Sequence, residues 1–247
     1  MGFDFGLILA IAFGAIFGSY ATLFAHRLPI GQSCFGRYFG NRSSCPKCKK
    51  QIKTRDLIPL LNWLITRGKC RFCGSLIPKT HLFIEVATTA IFAVFYLKFS
   101  FSESFILHSL IGVGLIILIS CEYTHKKFPK EILIFLLVIG VIHRTLIDQN
   151  IIGMIYSGVL GVICSTVFYQ IFYKKAKALF ANHKHSLSYT KLVLISSLIL
   201  QQIDFLIYYL VVILTLTIIL AFNIANRKNR NSFSYVLIIP LLWALIS

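Results

Sequence analysis

Long apolar runs, each near the length of a bilayer crossing, leave this chain few ways to fold. They lie near 5–25, 81–97, 104–121, 131–147, 150–173, 190–203, 205–224 and 233–246. About 20 mostly apolar residues cross the hydrocarbon core as a helix, and only helices or closed barrels satisfy their backbone groups there. The chain is 57% hydrophobic and 13% charged. It is therefore read as an all-α polytopic membrane protein of about eight transmembrane helices, the runs at 190–203 and 233–246 being the shortest. The first run follows Met1-Gly2-Phe3-Asp4, which offers no basic n-region. A retained anchor is expected there rather than a cleaved signal.

Charge gives an orientation. Of the 25 Lys and Arg, twelve lie in 27–79, three in 126–130, five in 174–191 and three in 227–230. These are alternate loops. The opposite loops hold Glu103, Asp148 and Asp204 against Lys98 and Arg144. A net charge of +17 would suggest nucleic acid in a soluble protein. Distributed this way it reads as topology instead, with both termini outside and the long loop in the cytoplasm. The lipid bilayer is the expected partner, and nucleic acid is not. His125, with Lys126, Lys127 and Lys130, is expected to meet anionic headgroups.

The cytoplasmic loop carries Cys45, Cys48, Cys70 and Cys73 as C-x-x-C, twenty-one residues, C-x-x-C. Two such knuckles suit a tetrahedral four-thiolate zinc site, each turn supplying two ligands. The loop has little apolar surface to bury, and a structural zinc contributes on the order of 10–16 kcal/mol of apparent binding energy. Disulfides or unrelated thiols are the alternatives; disulfides need an oxidising compartment, which a cytoplasmic loop lacks. Cys34, eleven residues before the first knuckle, reads as a free thiol or an exchangeable fifth ligand. Cys121 and Cys164 fall in apolar runs and are assigned to packing. Gly-rich phosphate loops, G-x-S-x-G elbows, H-E-x-x-H helices and internal repeats are not found.

Around the knuckles run Ser44-Cys45-Pro46-Lys47-Cys48, Asp56-Leu57-Ile58-Pro59-Leu60-Leu61-Asn62-Trp63-Leu64 and Arg67-Gly68-Lys69-Cys70-Arg71-Phe72-Cys73. Gly18-Ser19 and His26-Arg27-Leu28-Pro29 precede them, and Pro240 comes late. The chain resembles the bacterial prepilin peptidases, the type IV leader peptidases of pilus and type II secretion systems, along nearly its whole length. The resemblance implies a bifunctional enzyme of the inner membrane, in which the outward termini of the charge reading are expected to be periplasmic. Such an enzyme removes the basic leader of a prepilin or pseudopilin, then methylates the new N-terminus with S-adenosylmethionine. Cleavage in that family is aspartyl chemistry, in which two carboxylates share a proton so that one activates water and the other protonates. The first aspartate stands seven residues before a proline; the second ends a Gly-x-Gly-Asp followed by x-Lys-Leu.

This chain departs at both places. Seven residues before Pro129 stands Glu122, and aligning Lys191-Leu192 puts Tyr189 at the second position, with Ser186 and Ser188 for the two glycines. Glutamate keeps the acid but moves it by about 1.5 Å. Tyrosine, with an ordinary pKa near 10, is a poor base at neutral pH. Among the eight acids, Glu85 sits one turn inside the second span with His81 four residues before it. A Glu122–Glu85 or Glu122–Glu131 pair is the conceivable replacement. Thr22 stands where the family often has an amide, and His183-Lys184-His185 reads as a solvated basic loop. Too few ionisable groups lie in the spans for a transporter.

The organisation expected is a first transmembrane helix at 1–26, a zinc loop with methyltransferase-like character at 27–79, and a seven-helix peptidase-like domain at 80–247. Two readings of activity stay open. One is an enzyme in which Glu122 keeps a role and the loop methylates. The other is a pseudo-peptidase that binds pilin-like segments or secretion partners without cutting them.

Overall fold

A computed structural model describes residues 4–34, 44–45, 47–52, 59–125, 127–148, 151–176, 191–197, 199–200, 209–210, 212, 239–242 and 245–246. The chain divides into two compact units, Met1–Phe105 and Ile106–Ser247. The described elements are helical: α1 (Phe5–Arg27), a 3-10 turn (Leu28–Ile30), α2 (Leu61–Ile65), α3 (Lys79–Phe99), α4 (Glu103–His125), α5 (Lys130–His143), a π-helical turn (Arg144–Asp148) and α6 (Ile151–Ala176).

In the first unit α1 and α3 form an antiparallel pair, and small residues bring them together. Ala10, Gly14, Gly18, Ala21 and Ala25 are the buried positions of α1. A Cβ on Gly14 would come within 2.8 Å of the Thr89 Cα, and one on Gly18 within 2.9 Å of the Glu85 Cα. Such contacts are the usual means of helix association in lipid, where apolar burial gives no driving force between helices. Phe92 packs into this seam against Gly14 and Phe17, while many other large apolar side chains point away from it. Ile8, Ile11, Phe13 and Ile16 of α1 are exposed, as are Phe83, Val86, Val94 and Leu97 of α3. Polar groups in the pair satisfy themselves: the Thr22, Thr88 and Thr89 hydroxyls donate to the carbonyls of Gly18, Ile84 and Glu85 at 2.9, 2.7 and 2.7 Å. At one end Asp4 caps α1, accepting from the Gly6 and Leu7 amides at 2.9 and 3.3 Å, and also accepts from the Tyr96 hydroxyl at 2.9 Å. At the other end the His26 and His81 rings meet edge to face, and the polar loop begins.

In the second unit α4 is the inner helix; Ile111, Leu115, Leu118 and Cys121 are fully enclosed. Gly114 allows close approach of α5, since a Cβ there would lie 2.7 Å from Leu136 Cδ2. Gly161 of α6 lies so close to Ser197 that any side chain would collide. The Tyr209 hydroxyl donates to the Cys164 carbonyl at 2.8 Å. Cys121 and Cys164 are buried and in no disulfide, in keeping with a packing role.

Phe5–Ile30, Lys79–Phe99 and Glu103–His125 are the three described helices long and apolar enough to cross a membrane. The apolar run at 131–147 instead forms α5, fourteen residues or about 21 Å of helix, continued by the π turn. In α6 the apolar part is Ile155–Val167. The runs expected at 205–224 and 233–246 fall mostly outside the described residues.

Candidate metal centre and membrane carboxylates

Each C-x-x-C motif folds into the same small turn. Around the first, the Lys49 amide donates to the Cys45 carbonyl and the Cys45 amide to the Lys50 carbonyl, at 2.9 and 3.0 Å. Twenty-five residues on, the Gly74 amide donates to the Cys70 carbonyl and the Cys70 amide to the Ser75 carbonyl, at 2.9 and 2.7 Å. Both turns close with an antiparallel bridge, Ser44 to Gln51 and Lys69 to Leu76. Both need a left-handed residue after the second cysteine: Lys49 at φ 59° and Gly74 at φ 67°. The paired cysteines showed two turns in sequence; that both close with the same bridge and the same left-handed residue lies in the backbone.

The turns bring four free thiols together, all ligand atoms lying within 4.8 Å of one another. Cys45 Sγ and Cys73 Sγ are 3.8 Å apart. A tetrahedral ion with metal–sulfur bonds of about 2.3 Å sets its sulfurs about 3.8 Å apart, so the donor set fits such an ion. Electrostatics agree. The Cys48 backbone N–H, helped by the Ser75 hydroxyl, lowers Cys45 to about 6. Cys73 is lowered chiefly by the same hydroxyl, whose oxygen lies 3.1 Å from its sulfur. Cys48 moves the other way, to about 11. Its largest influence, the Lys50 N–H, favours the thiolate but is outweighed by burial and the neighbouring thiols. Four thiols this close cannot all ionise without a cation among them. Cys34 stands outside the cluster.

Between the knuckles the chain makes α2, entered through Leu60 at φ 62° and left through Arg67 and Gly68 at 51° and 67°. A Cβ on Gly68 would strike the Trp63 indole at 2.9 Å. The Leu60 amide donates to Glu85 Oε2 at 2.8 Å. Glu85, singled out in sequence as a possible catalytic partner, thus holds the loop to α3. Its neighbour His81 packs on His26. Asn62 Oδ1 and Trp63 Nε1 are buried without hydrogen-bond partners.

Glu122 lies near the end of α4 and is 2% exposed, between Cys121 and the exposed Tyr123. Pro129, seven residues on, caps α5. Tyr189 and His183-Lys184-His185 lie outside the described residues; Lys191 and Leu192, which set that alignment, stand in a helical stretch. One cluster was missed in sequence. His108 of α4 and His143 of α5 are buried with their Nε2 atoms 3.4 Å apart, and Arg144 beside them is buried too. Histidines 35 residues apart carry no local signal; only the pairing of α4 with α5 joins them.

Three apolar spanning helices and a four-thiol knuckle on a polar loop define a helical membrane protein with a small metal-site domain. Residues 12–99 match the bacterial peptidase A24 N-terminal domain, and the chain is similar to proteins named prepilin leader peptidase/N-methyltransferase. It is 28% identical over 166 residues to the prepilin leader peptidase/N-methyltransferase of Bacillus subtilis, covering 67% of this chain and 64% of that protein. To the Vibrio cholerae protein of the same name it is 34% identical over 106 residues, 41% of this chain and 42% of the relative. The Stutzerimonas stutzeri protein is 25% identical over 187 residues, covering 67% and 64%. The matched stretches thus span less than two thirds of these relatives. No solved structure matches.

Proposed function

We propose that this chain is an inner-membrane protein of prepilin-peptidase type that binds the N-terminal segments of prepilins or pseudopilins. Its loop serves their N-methylation, and its leader-cleaving dyad is broken at Glu122 and Tyr189. The observation that carries this reading is the four-thiol cluster inside the matched residues 12–99. Cys45, Cys48, Cys70 and Cys73 would hold a structural zinc, which on binding holds the two knuckles together. The methyl donor would be S-adenosylmethionine. A buried acceptor on Asn62 and a buried donor on Trp63, both without protein partners, are suited to a polar ligand of this kind.

The architecture proposed is a first helix at 1–26, the zinc loop at 27–79 in the cytoplasm, and a peptidase-like domain at 80–247. Eight spans then leave both termini in the periplasm, as the distribution of Lys and Arg requires. The second reading is a catalytically inactive protein that binds pilin-like segments or secretion partners. Thr22 favours it, since its hydroxyl is taken up by the Gly18 carbonyl where the family often offers an amide. Both readings keep the loop; they differ in methyl transfer. Incubating the full chain with a pre-cleaved pilin and labelled S-adenosylmethionine separates them. Label on the pilin N-terminus, lost in Cys73→Ser, is expected. An unlabelled pilin with the metal still bound would favour the inactive protein.

A further inference from the structure

The metal loop exposes more apolar surface than its polar sequence suggests. Leu64 and Ile65 at the end of α2, Phe72 inside the second knuckle and Leu76 in its closing bridge are 61, 70, 41 and 78% exposed. Cations are interleaved with them. Arg67, Lys69 and Arg71 lie in the same stretch, and Lys47, Lys49 and Lys50 surround the first knuckle. Lys50 Nζ sits 5.3 Å from the centre of the Phe72 ring, so the two knuckles share this surface. Asp56 is the one acid in 27–79 against twelve Lys and Arg.

This surface belongs to one firm piece. The Gly68 amide donates to the Trp63 carbonyl at 2.9 Å and the Ile77 amide to the Gly68 carbonyl at 2.7 Å, and Trp63 packs on Gly68. The piece is also held near the end of the spanning pair. The chain leaves α1 at Arg27 and enters α3 at Lys79, and Glu85, less than two turns into α3, binds the Leu60 amide.

Bulky apolar side chains mixed with cations, outside the spans but tied to their end, match the chemistry of a surface seated in an anionic headgroup layer. We propose that the knuckle unit docks on the anionic lipid surface of the membrane that holds α1 and α3. Leu64, Ile65, Phe72 and Leu76 enter the acyl boundary, and the surrounding Lys and Arg meet lipid phosphates. Charge decides the occupant. A substrate segment bearing a basic leader is repelled by a surface of this sign, whereas anionic lipid is attracted. The inference stands apart from any catalytic role.

The test uses the full metal-loaded chain in nanodiscs, with Trp243→Phe so that Trp63 is the reporter. Lipids brominated high on the acyl chain quench a tryptophan at that depth. Quenching of Trp63 in phosphatidylglycerol-containing discs, weak in phosphatidylcholine and relieved by salt, is expected. Lys69→Gln with Arg71→Gln should lower the docked-to-free ratio roughly thirtyfold, at about fivefold per cation. Metal content measured alongside shows that the knuckles remain folded. Equal quenching in both lipids, or none in either, would overturn the proposal. So would protection of Trp63 that arises only when a prepilin segment is added, which would assign the surface to substrate.

Discussion

Cys45 and Cys48 stand three residues apart in one turn, yet the turn treats their protons oppositely. Backbone and hydroxyl donors stabilise the Cys45 thiolate to about 6, while Cys48 is held protonated to about 11. For Cys45 the folded value lies below the ordinary 9.0. Its stabilisation is therefore full above that ordinary value, fades as pH falls and is gone below about 6. The metal follows the same sign, since its ligands must be thiolates. Zinc release followed with a chromophoric chelator should accelerate as pH falls through this range. Release independent of pH would contradict the four-thiolate site. Glu85 offers a second test at this scale. Glu85→Ala leaves the Leu60 N–H without its acceptor, at a cost of about 1–3 kcal/mol. Glu85→Gln keeps an acceptor oxygen and should be nearly neutral. Proteolysis near residue 60, faster in the alanine variant alone, checks this. The cysteines were legible because ligand spacing is local. The role of Glu85 was not, because its partner is a backbone amide 25 residues earlier, and sequence shows an intramembrane acid without its partner.

At the level of elements, α1 and α3 depend on how closely their backbones approach. Gly14 leaves 2.8 Å between a notional Cβ and the Thr89 Cα, so a larger side chain must push the helices apart. Gly14→Leu is expected to cost about 1–3 kcal/mol, the usual range for overpacking, and to lower the unfolding midpoint in detergent. Ile8→Ala, on an exposed position of α1, should leave the midpoint unchanged. The length of the apolar runs located these helices well: those at 5–25, 81–97 and 104–121 lie within α1, α3 and α4. It did not reveal the π turn at Arg144–Asp148, because hydropathy does not distinguish one helical hydrogen-bond pattern from another. Nor did it show that α4 would be the enclosed helix. All three runs are similarly apolar, and enclosure depends on neighbours.

For the molecule as a whole, the arrangement of charge makes a sharp demand. With both termini outside, reporters fused at either end should read periplasmic, and one inserted at 35–40 should read cytoplasmic. A cytoplasmic C-terminus would remove one span from the proposed eight. Leader cleavage would depend on the pair of positions that prepilin peptidases fill with aspartate. Glu122 is a buried carboxyl, but its expected partner is Tyr189, which does not share a proton as a carboxylate does at neutral pH. The most direct measurement is incubation of an intact prepilin with the full chain in liposomes, beside Glu122→Ala, with the pilin N-terminus read by mass spectrometry. The expected result is an intact leader with either protein while zinc stays bound. Leader removal by the unaltered chain, abolished by Glu122→Ala, would contradict it and identify a working dyad built on Glu122.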